Sequence, residues 1–186
     1  MADPPITAAA SAIILPVPSA EPLISGWRLR HDASALAGVP AHVTIVAPFL
    51  PPERITGEVL GELHRLLAAR PAPRVRFTHS ARFAPAGAAP GVLYLDPEPA
   101  GELRELTRAV VARWPEAPPY GGLHAEIVPH LTVAIAGELT LDAIDDELSR
   151  ALGDGFAATL EEATVYVHAG DRWRQVAALP VGAGRG

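Results

Sequence analysis

The sequence predicts an α+β fold built from mainly antiparallel sheets, with helices packed on one face. Short apolar runs typical of strands alternate with segments whose leucines recur every three or four residues, as on a helix. These runs do not form the long Val/Ile-rich series joined by helices that a parallel sheet would show. In each half of the chain, a strand that begins His-x-Thr precedes a helix. This repetition predicts two similar lobes that face each other.

The individual elements follow from local pattern and from the prolines and glycines that punctuate it. Strands are predicted in the short or alternating apolar runs at residues 12–17, 41–47, 74–83, 91–95, 130–136, 158–168 and 172–181. Helices are predicted, from apolar residues at helical spacing, over residues 20–36, 53–69, 99–114 and 140–152. We expect one domain over residues 1–186, with loose tails at 1–10 and 182–186.

Composition and charge narrow the class of protein. Apolar residues make up 49% of the chain and charged residues 19%, which is a folding composition. The absence of cysteine excludes disulfides, thiolate metal ligands and cysteine nucleophiles. A formal charge of −6 argues against a protein that coats long nucleic acid, because phosphate neutralisation supplies most of that affinity. Residues 8–17 lack the basic flank of a signal peptide, and no apolar run approaches the ~18 residues that span a bilayer. We therefore expect a cytoplasmic protein with no membrane partner, and we take a monomer as the default.

The strongest chemical signal is a pair of tripeptides, His42-Val43-Thr44 and His130-Leu131-Thr132. Residues i and i+2 of a strand point to the same face, so each tripeptide presents an imidazole beside a hydroxyl. Two such strands side by side would bring two imidazoles to one cavity. Cleavage of a phosphodiester needs a base and an acid, and histidine serves as either near neutral pH. The alternative is a pair of buried strand histidines bonded to backbone.

Residues 42–49 and 129–134 resemble the two signatures of the 2H phosphoesterase superfamily, whose best-known bacterial branch is the 2′-5′ RNA ligase / RNA 2′,3′-cyclic phosphodiesterase family. The resemblance implies a bilobal fold with two pseudo-symmetric lobes, outer helices and a central cleft. It also implies hydrolysis of 2′,3′-cyclic or 2′-5′ phosphodiesters with no metal or other cofactor. Two alternatives stay open: a module that binds a nucleotide or RNA end without cleaving it, and a reversible 2′-5′ RNA ligase.

The resemblance also assigns roles. It implies that His42 is the proton donor and His130 the proton acceptor, with Thr44 and Thr132 holding the phosphoryl group. Family members that act on RNA often carry an arginine just after the second motif, whereas residues 133–137 contain no cation. The expected partner is a small nucleotide or an RNA-end phosphodiester, and this departure from the family pattern argues for the small nucleotide.

Weaker candidates surround the motifs. Phe49 is placed either to stack on a base or in the core. Tyr120, followed by two glycines, belongs either to a lid over the cleft or to a surface turn. His124 and Glu126 precede His130 as His-x-Glu-x-x-x-His, but no third ligand is evident for a metal site there. Three arginines are candidates for phosphate contacts or solvated residues, and four histidines are expected at surface or structural positions: Arg30, Arg82, Arg172, His31, His64, His79 and His168.

Overall fold

The computed structural model describes residues 10–87, 89–122, 126–170 and 172–182. The strands within these ranges are β1 Ser11–Pro16, β2 His42–Val46, β3 Arg74–Phe83, β4 Gly91–Glu98, β5 Leu131–Ala136, β6 Phe156–Thr159, β7 Glu162–Ala169 and β8 Arg172–Pro180. The helices are α1 Glu21–His31, α2 Ala33–Leu36, α3 Gly57–Ala68, α4 Gly101–Arg113 and α5 Glu138–Leu152. Most of the two predicted tails lies outside the described residues.

The strands form two four-stranded sheets in which every pairing is antiparallel. The first sheet has the order β2-β1-β7-β8 and the second the order β5-β4-β3-β6. Each lobe repeats one arrangement, because a helix joins an inner strand to the edge strand beside it: α1 between β1 and β2, and α4 between β4 and β5. The predicted α+β class with two pseudo-symmetric lobes is thereby confirmed.

Two predicted elements are wrong in extent. The predicted helix 20–36 breaks at Asp32, which is extended (φ −134°, ψ 108°) and whose carboxylate accepts the backbone N–H of Ser34 at 2.9 Å. Aspartate favours this N-cap geometry, so a second short helix begins there. The predicted strand 158–168 is two strands in different sheets, since β6 pairs with β3 and β7 pairs with β1. The chain crosses between the sheets at residues 160–161, where Leu160 is anchored by its N–H to the Pro73 carbonyl.

The helices connect the lobes across the core. Helix α1 packs against β5 and α4 packs against β2, so each helix contacts the motif strand of the opposite lobe. The edge strands β2 and β5 also contact each other. One cluster of buried apolar residues contains side chains of both sheets and of these helices. Of the helices in the described part of the chain, none combines the length and apolarity needed to cross a bilayer.

Both motif strands contain a register shift at the same place. Ile45 lies between the paired residues Thr44 and Val46 of β2, and Val133 lies between Thr132 and Ala134 of β5. In each strand the shift comes three residues after the motif histidine. A bulge of this kind bends its strand and changes the direction of the neighbouring side chains. The two lobes therefore share a detail of backbone geometry beside the histidines as well as a topology.

Candidate active site

The histidine and threonine side chains of both motifs line one cleft. His42 and Thr44 lie at the start of β2, whereas His130 immediately precedes β5 and Thr132 is its second residue. The four share this cleft because β2 and β5 are edge strands that contact each other. The remaining residues that line the cleft are Ala12, Ile14, Asp32, Ser34, Val39, Ala47, Pro48, Tyr120, Tyr166 and Trp173.

Both imidazoles are held in the same tautomer by backbone carbonyls. The Nδ1 atom of His42 lies 2.7 Å from the Pro40 oxygen, and that of His130 lies 2.8 Å from the Val128 oxygen. A carbonyl oxygen only accepts a hydrogen bond, so Nδ1 carries the proton in each ring. In the neutral ring Nε2 is then the nitrogen without a proton, and it is the atom that can take one up.

The surroundings of His42 disfavour its positive charge. The pKa of His42 is lowered from 6.5 to about 4, and the largest cause is burial, which the hydrogen bond to Pro40 opposes. The Arg28 charge and a protonated His130 contribute to the lowering of this pKa, while the Asp32 carboxylate counteracts it. His42 is therefore neutral near pH 7 in the free protein. A phosphate anion bound in the cleft would raise its pKa, because opposite charge stabilises the imidazolium.

His130 lies among aromatic rings. Phe83 meets it edge-on with ring centroids 5.0 Å apart, and the Tyr94 centroid lies at 5.4 Å. Tyr120 is nearly parallel to the imidazole, at 23° and 6.3 Å. The Tyr120 backbone N–H donates to the Ala47 carbonyl at 2.8 Å, which attaches this loop to the end of the first motif strand. Tyr120 therefore forms part of the cleft wall.

An apolar wall on the first sheet faces the cleft beside the two motifs. It consists of Ala12 and Ile14 from β1, Tyr166 from β7 and Trp173 from β8. Ala12 and Tyr166 are direct cross-strand partners. None of the four was predicted as a site residue. For Ala12 and Ile14 the signal was strand alternation: Ile13 and Leu15 face the core, so the residues between them face the other side of the sheet.

A buried ion pair lies behind His42. Arg28 and Asp32 are only 2% and 4% exposed, and the guanidinium donates to the Asp32 carboxylate from Nε at 3.1 Å and Nη2 at 2.8 Å. The other Asp32 oxygen accepts the Ser34 N–H and hydroxyl. Sequence reasoning missed this group, because Arg28 and Asp32 read as polar positions within one predicted helix.

The weaker candidates are not brought to the cleft, with the exception of Tyr120. Phe49 is 6% exposed and packs edge-on against Trp114, with ring centroids 5.3 Å apart. It therefore lies in the core, which was the alternative to stacking on a base. Arg82 forms ion pairs with Asp142 and Asp145 on α5. Arg30 and Arg172 are exposed and do not line the cleft, and among its described lining residues none is arginine or lysine.

Two groups of residues away from the motif threonines combine histidine with carboxylates. His124 of the His-x-Glu-x-x-x-His pattern lies outside the described residues. Within the described ranges, the donor atoms of His79, Asp96 and Glu98 lie within 4.8 Å of one another. This group lies on β3 and β4 and does not line the cleft.

A family model described as the 2′-5′ RNA ligase superfamily matches residues 15–172. The chain therefore belongs to the 2′-5′ RNA ligase superfamily, and the resemblance inferred from the two motifs is confirmed. No curated protein matches the sequence.

Solved structures share the fold at low sequence identity. E. coli LigT complexed with 3′-AMP is 17% identical with a TM-score of 0.58, and the match covers 93% of this chain and 98% of that one. The LigT complex with NADP+ is 18% identical, with a TM-score of 0.54 and coverage of 93% and 97%. TT0787 of Thermus thermophilus is 17% identical, with a TM-score of 0.58 and coverage of 95% and 100%. At these identities the likeness shows a common fold.

Proposed function

We propose that the protein is a metal-independent phosphodiesterase that hydrolyses 2′,3′-cyclic or 2′-5′ phosphodiesters with His42 and His130 as its acid–base pair. The observation that supports this most is the shared cleft. Two imidazoles with Nδ1 bound to carbonyls direct the chemistry to Nε2, and each has a threonine hydroxyl two residues away.

The reaction needs two proton transfers. One Nε2 atom accepts a proton from water as the water oxygen bonds to phosphorus, and the other donates a proton to the ribose oxygen whose bond to phosphorus breaks. A 2′,3′-cyclic phosphate then yields a phosphomonoester and a free hydroxyl. The hydroxyls of Thr44 and Thr132 donate to the non-bridging oxygens, where negative charge accumulates.

The resemblance gives the donor role to His42 and the acceptor role to His130. Because His42 is neutral in the free protein at pH 7, the donor role requires that the incoming phosphate anion raise the pKa of His42, so that the ring takes up a proton from solvent. An activated leaving group separates the roles, since nitrophenolate departs without a proton. On a nucleoside nitrophenyl phosphodiester, His42→Ala should retain most of its turnover and His130→Ala should not. The opposite pattern would exchange the two roles.

The cleft favours a nucleotide with one phosphodiester over a longer polyanion. Its wall on the first sheet is apolar, and no described lining residue is arginine or lysine to pair with additional phosphates. LigT, a relative by fold, has been crystallised with 3′-AMP and NADP+. We therefore expect small nucleotides, or the terminal phosphodiester of an RNA, as substrates.

The direct test is turnover of a 2′,3′-cyclic nucleotide with and without EDTA. His42→Ala and His130→Ala should each reduce the rate by about 10²- to 10⁴-fold, the usual contribution of general acid–base catalysis. His64→Ala is the matched control, because His64 is exposed on α3 and does not line the cleft. Undiminished rates in both motif variants, or equal sensitivity of the control, would contradict the proposal.

The same incubations distinguish the alternatives. Recovery of intact ligand after binding would identify a module that does not cleave, and longer products from cyclic-phosphate and 5′-hydroxyl RNA ends would identify a ligase. The sequence contains no lysine, so a lysyl–AMP intermediate cannot form on this chain. If the protein joins RNA ends, the 5′-hydroxyl of one RNA must attack the cyclic phosphate of the other and open it, in place of water.

A further inference from the structure

The orientation of each motif imidazole depends on one carbonyl group two residues earlier in the chain. Pro40 holds His42, and Val128 holds His130. Neither carbonyl belongs to a strand, because β2 begins at His42 and β5 at Leu131. If either peptide rotated, the ring bonded to it would turn, and its Nε2 atom would leave the direction of the cleft. The segment before each histidine therefore needs its own support.

In the first lobe four hydrogen bonds provide that support, and two of them come from side chains of α1. The Arg28 Nη1 atom donates to the Val39 carbonyl at 3.3 Å, and the Glu21 carboxylate accepts the Ala41 N–H. The Val39 N–H donates to the Ser34 carbonyl at 2.9 Å, and the Ala41 carbonyl accepts the Val17 N–H at 2.8 Å. Every backbone polar group on either side of the Pro40 carbonyl is thus bonded, which leaves this peptide little freedom to rotate.

In the second lobe an arginine of α4 occupies the corresponding place. The Arg104 Nε atom donates to the Ile127 carbonyl at 3.2 Å, and the next carbonyl, that of Val128, holds His130. In both lobes the arginine lies on the long helix between the inner strand and the motif strand, α1 in the first lobe and α4 in the second. In both, it bonds the carbonyl three residues before the histidine, and the histidine bonds the carbonyl two residues before itself.

We propose that Arg28 and Arg104 are paired positioning residues, each of which fixes the backbone that orients the motif histidine of its own lobe. The helices that carry them also contact the motif strand of the opposite lobe. Each helix therefore sets the position of one histidine strand by packing and the orientation of the other histidine by hydrogen bonding. This catalytic role rests on the proposed function, but the orientation itself can be measured without a substrate.

Arginine suits the first position because Arg28 serves several acceptors at once. Its Nε and Nη2 atoms bond Asp32, Nη2 also reaches the Ser34 hydroxyl at 3.3 Å, and Nη1 reaches Val39. A lysine ammonium is a single point with three donors and cannot reproduce this fixed fork. Because Arg28 is buried in an ion pair, its substitution also risks unfolding. Glu21 and Arg104, which are only partly buried, therefore provide the safer variants.

The test uses long-range ¹H–¹⁵N correlation spectra, which identify the ring nitrogen that bears the proton, at slightly alkaline pH where the imidazoles are neutral. Arg104→Met should mix the tautomers of His130 and leave His42 unchanged. Glu21→Ala should do the reverse, and Glu21→Gln should restore the native tautomer because its amide oxygen accepts the same N–H. Arg113→Met is the control on α4, since Arg113 is exposed and pairs with Glu62 on α3.

Kinetics on a substrate of the wild-type protein provide the second measurement. Arg104→Met should lower kcat by about 10- to 100-fold with KM changed less than about twofold, because misorientation of a catalytic group acts on the chemical step. Unchanged ring tautomers in both Arg104→Met and Glu21→Ala would overturn the proposal, as would equal changes of both rings in every variant. Absence of wild-type turnover would refute the proposed function alone, because the spectra would still test the positioning.

Discussion

Acidification should destabilise this fold, and His42 should account for a measurable share of the loss. The folded-state pKa of His42 is about 4, whereas that of the unfolded chain is near 6.5. Between these values the unfolded chain binds the additional proton, so stability falls as the pH falls. The contribution is fully present above pH 6.5 and is lost progressively toward pH 4.

The magnitude follows from the two pKa values. Linkage gives a loss of about 2 kcal/mol between pH 7 and pH 5, and a limit of ~3 kcal/mol once both states are protonated. Because the His42 ring is partly exposed to the cleft, these two free energies are upper limits. A loss of 2 kcal/mol is large for a single domain, whose total stability is typically about 5–15 kcal/mol.

The assay is urea unfolding followed by circular dichroism at a series of pH values, for the wild type and for His42→Gln. Glutamine cannot titrate, so the difference in free energy of unfolding between the two proteins isolates the His42 proton. This difference should change by about 2 kcal/mol between pH 7 and pH 5. His64→Gln is the control, because that histidine is exposed on α3. A wild-type minus His42→Gln difference that is constant over this range would refute the reasoning.

Three further predictions concern the sheets and the cleft. The buried Thr164 hydroxyl has no hydrogen-bond partner among the described residues, so Thr164→Val should raise the free energy of unfolding by about 1 kcal/mol; a loss in urea unfolding would show that the hydroxyl is bonded. Trp173 lines the cleft and can stack on a base, so Trp173→Ala should raise KM for a cyclic nucleotide by about 10-fold or more. The KM for glycerol cyclic phosphate, which has no base, should not change. Equal effects on both substrates would exclude stacking. The pH profile of kcat/KM should contain an apparent pKa near 4 from His42 of the free protein. The profile of kcat should not contain it, because a bound phosphate anion raises the pKa of His42. A kcat/KM profile with no inflection below about pH 5 would contradict this prediction.

Local pattern predicted most of the elements but not the way they meet. Strand β3 has the predicted bounds, and α3, α4 and α5 lie at the predicted leucine stripes. The approach of β2 to β5 is different in kind, because these strands belong to separate sheets and no pairing joins them. Their proximity depends on the packing of α1 on β5 and of α4 on β2, which are contacts between distant segments. No periodicity within one segment carries that information.

The missed site residues have a similar explanation. Asp32 interrupts a segment whose apolar residues continue at helical spacing through Leu36. This spacing predicts one continuous helix and hides the helix N-cap that Asp32 forms. No proline or glycine marks the point at which the predicted strand 158–168 divides into two strands. The chain changes sheets at Leu160, which is apolar and buried, so the sequence there still resembles a continuous strand. Trp173 and Tyr166 lie on closing strands with no motif, so only the completed sheet shows that they face the cleft.

The two motifs match in sequence pattern, in bulge position and in the carbonyl that holds each ring, yet their surroundings differ. His42 lies beside the charged pair of Arg28 and Asp32, whereas His130 lies among the rings of Phe83 and Tyr94. Acid–base catalysis needs such a difference, because one imidazole must hold a proton while the other lacks it. The difference comes entirely from residues outside the motifs. A motif match can therefore identify the pair of histidines, but the side chains that make their surroundings different, on which the proposed division of roles depends, lie outside the motifs.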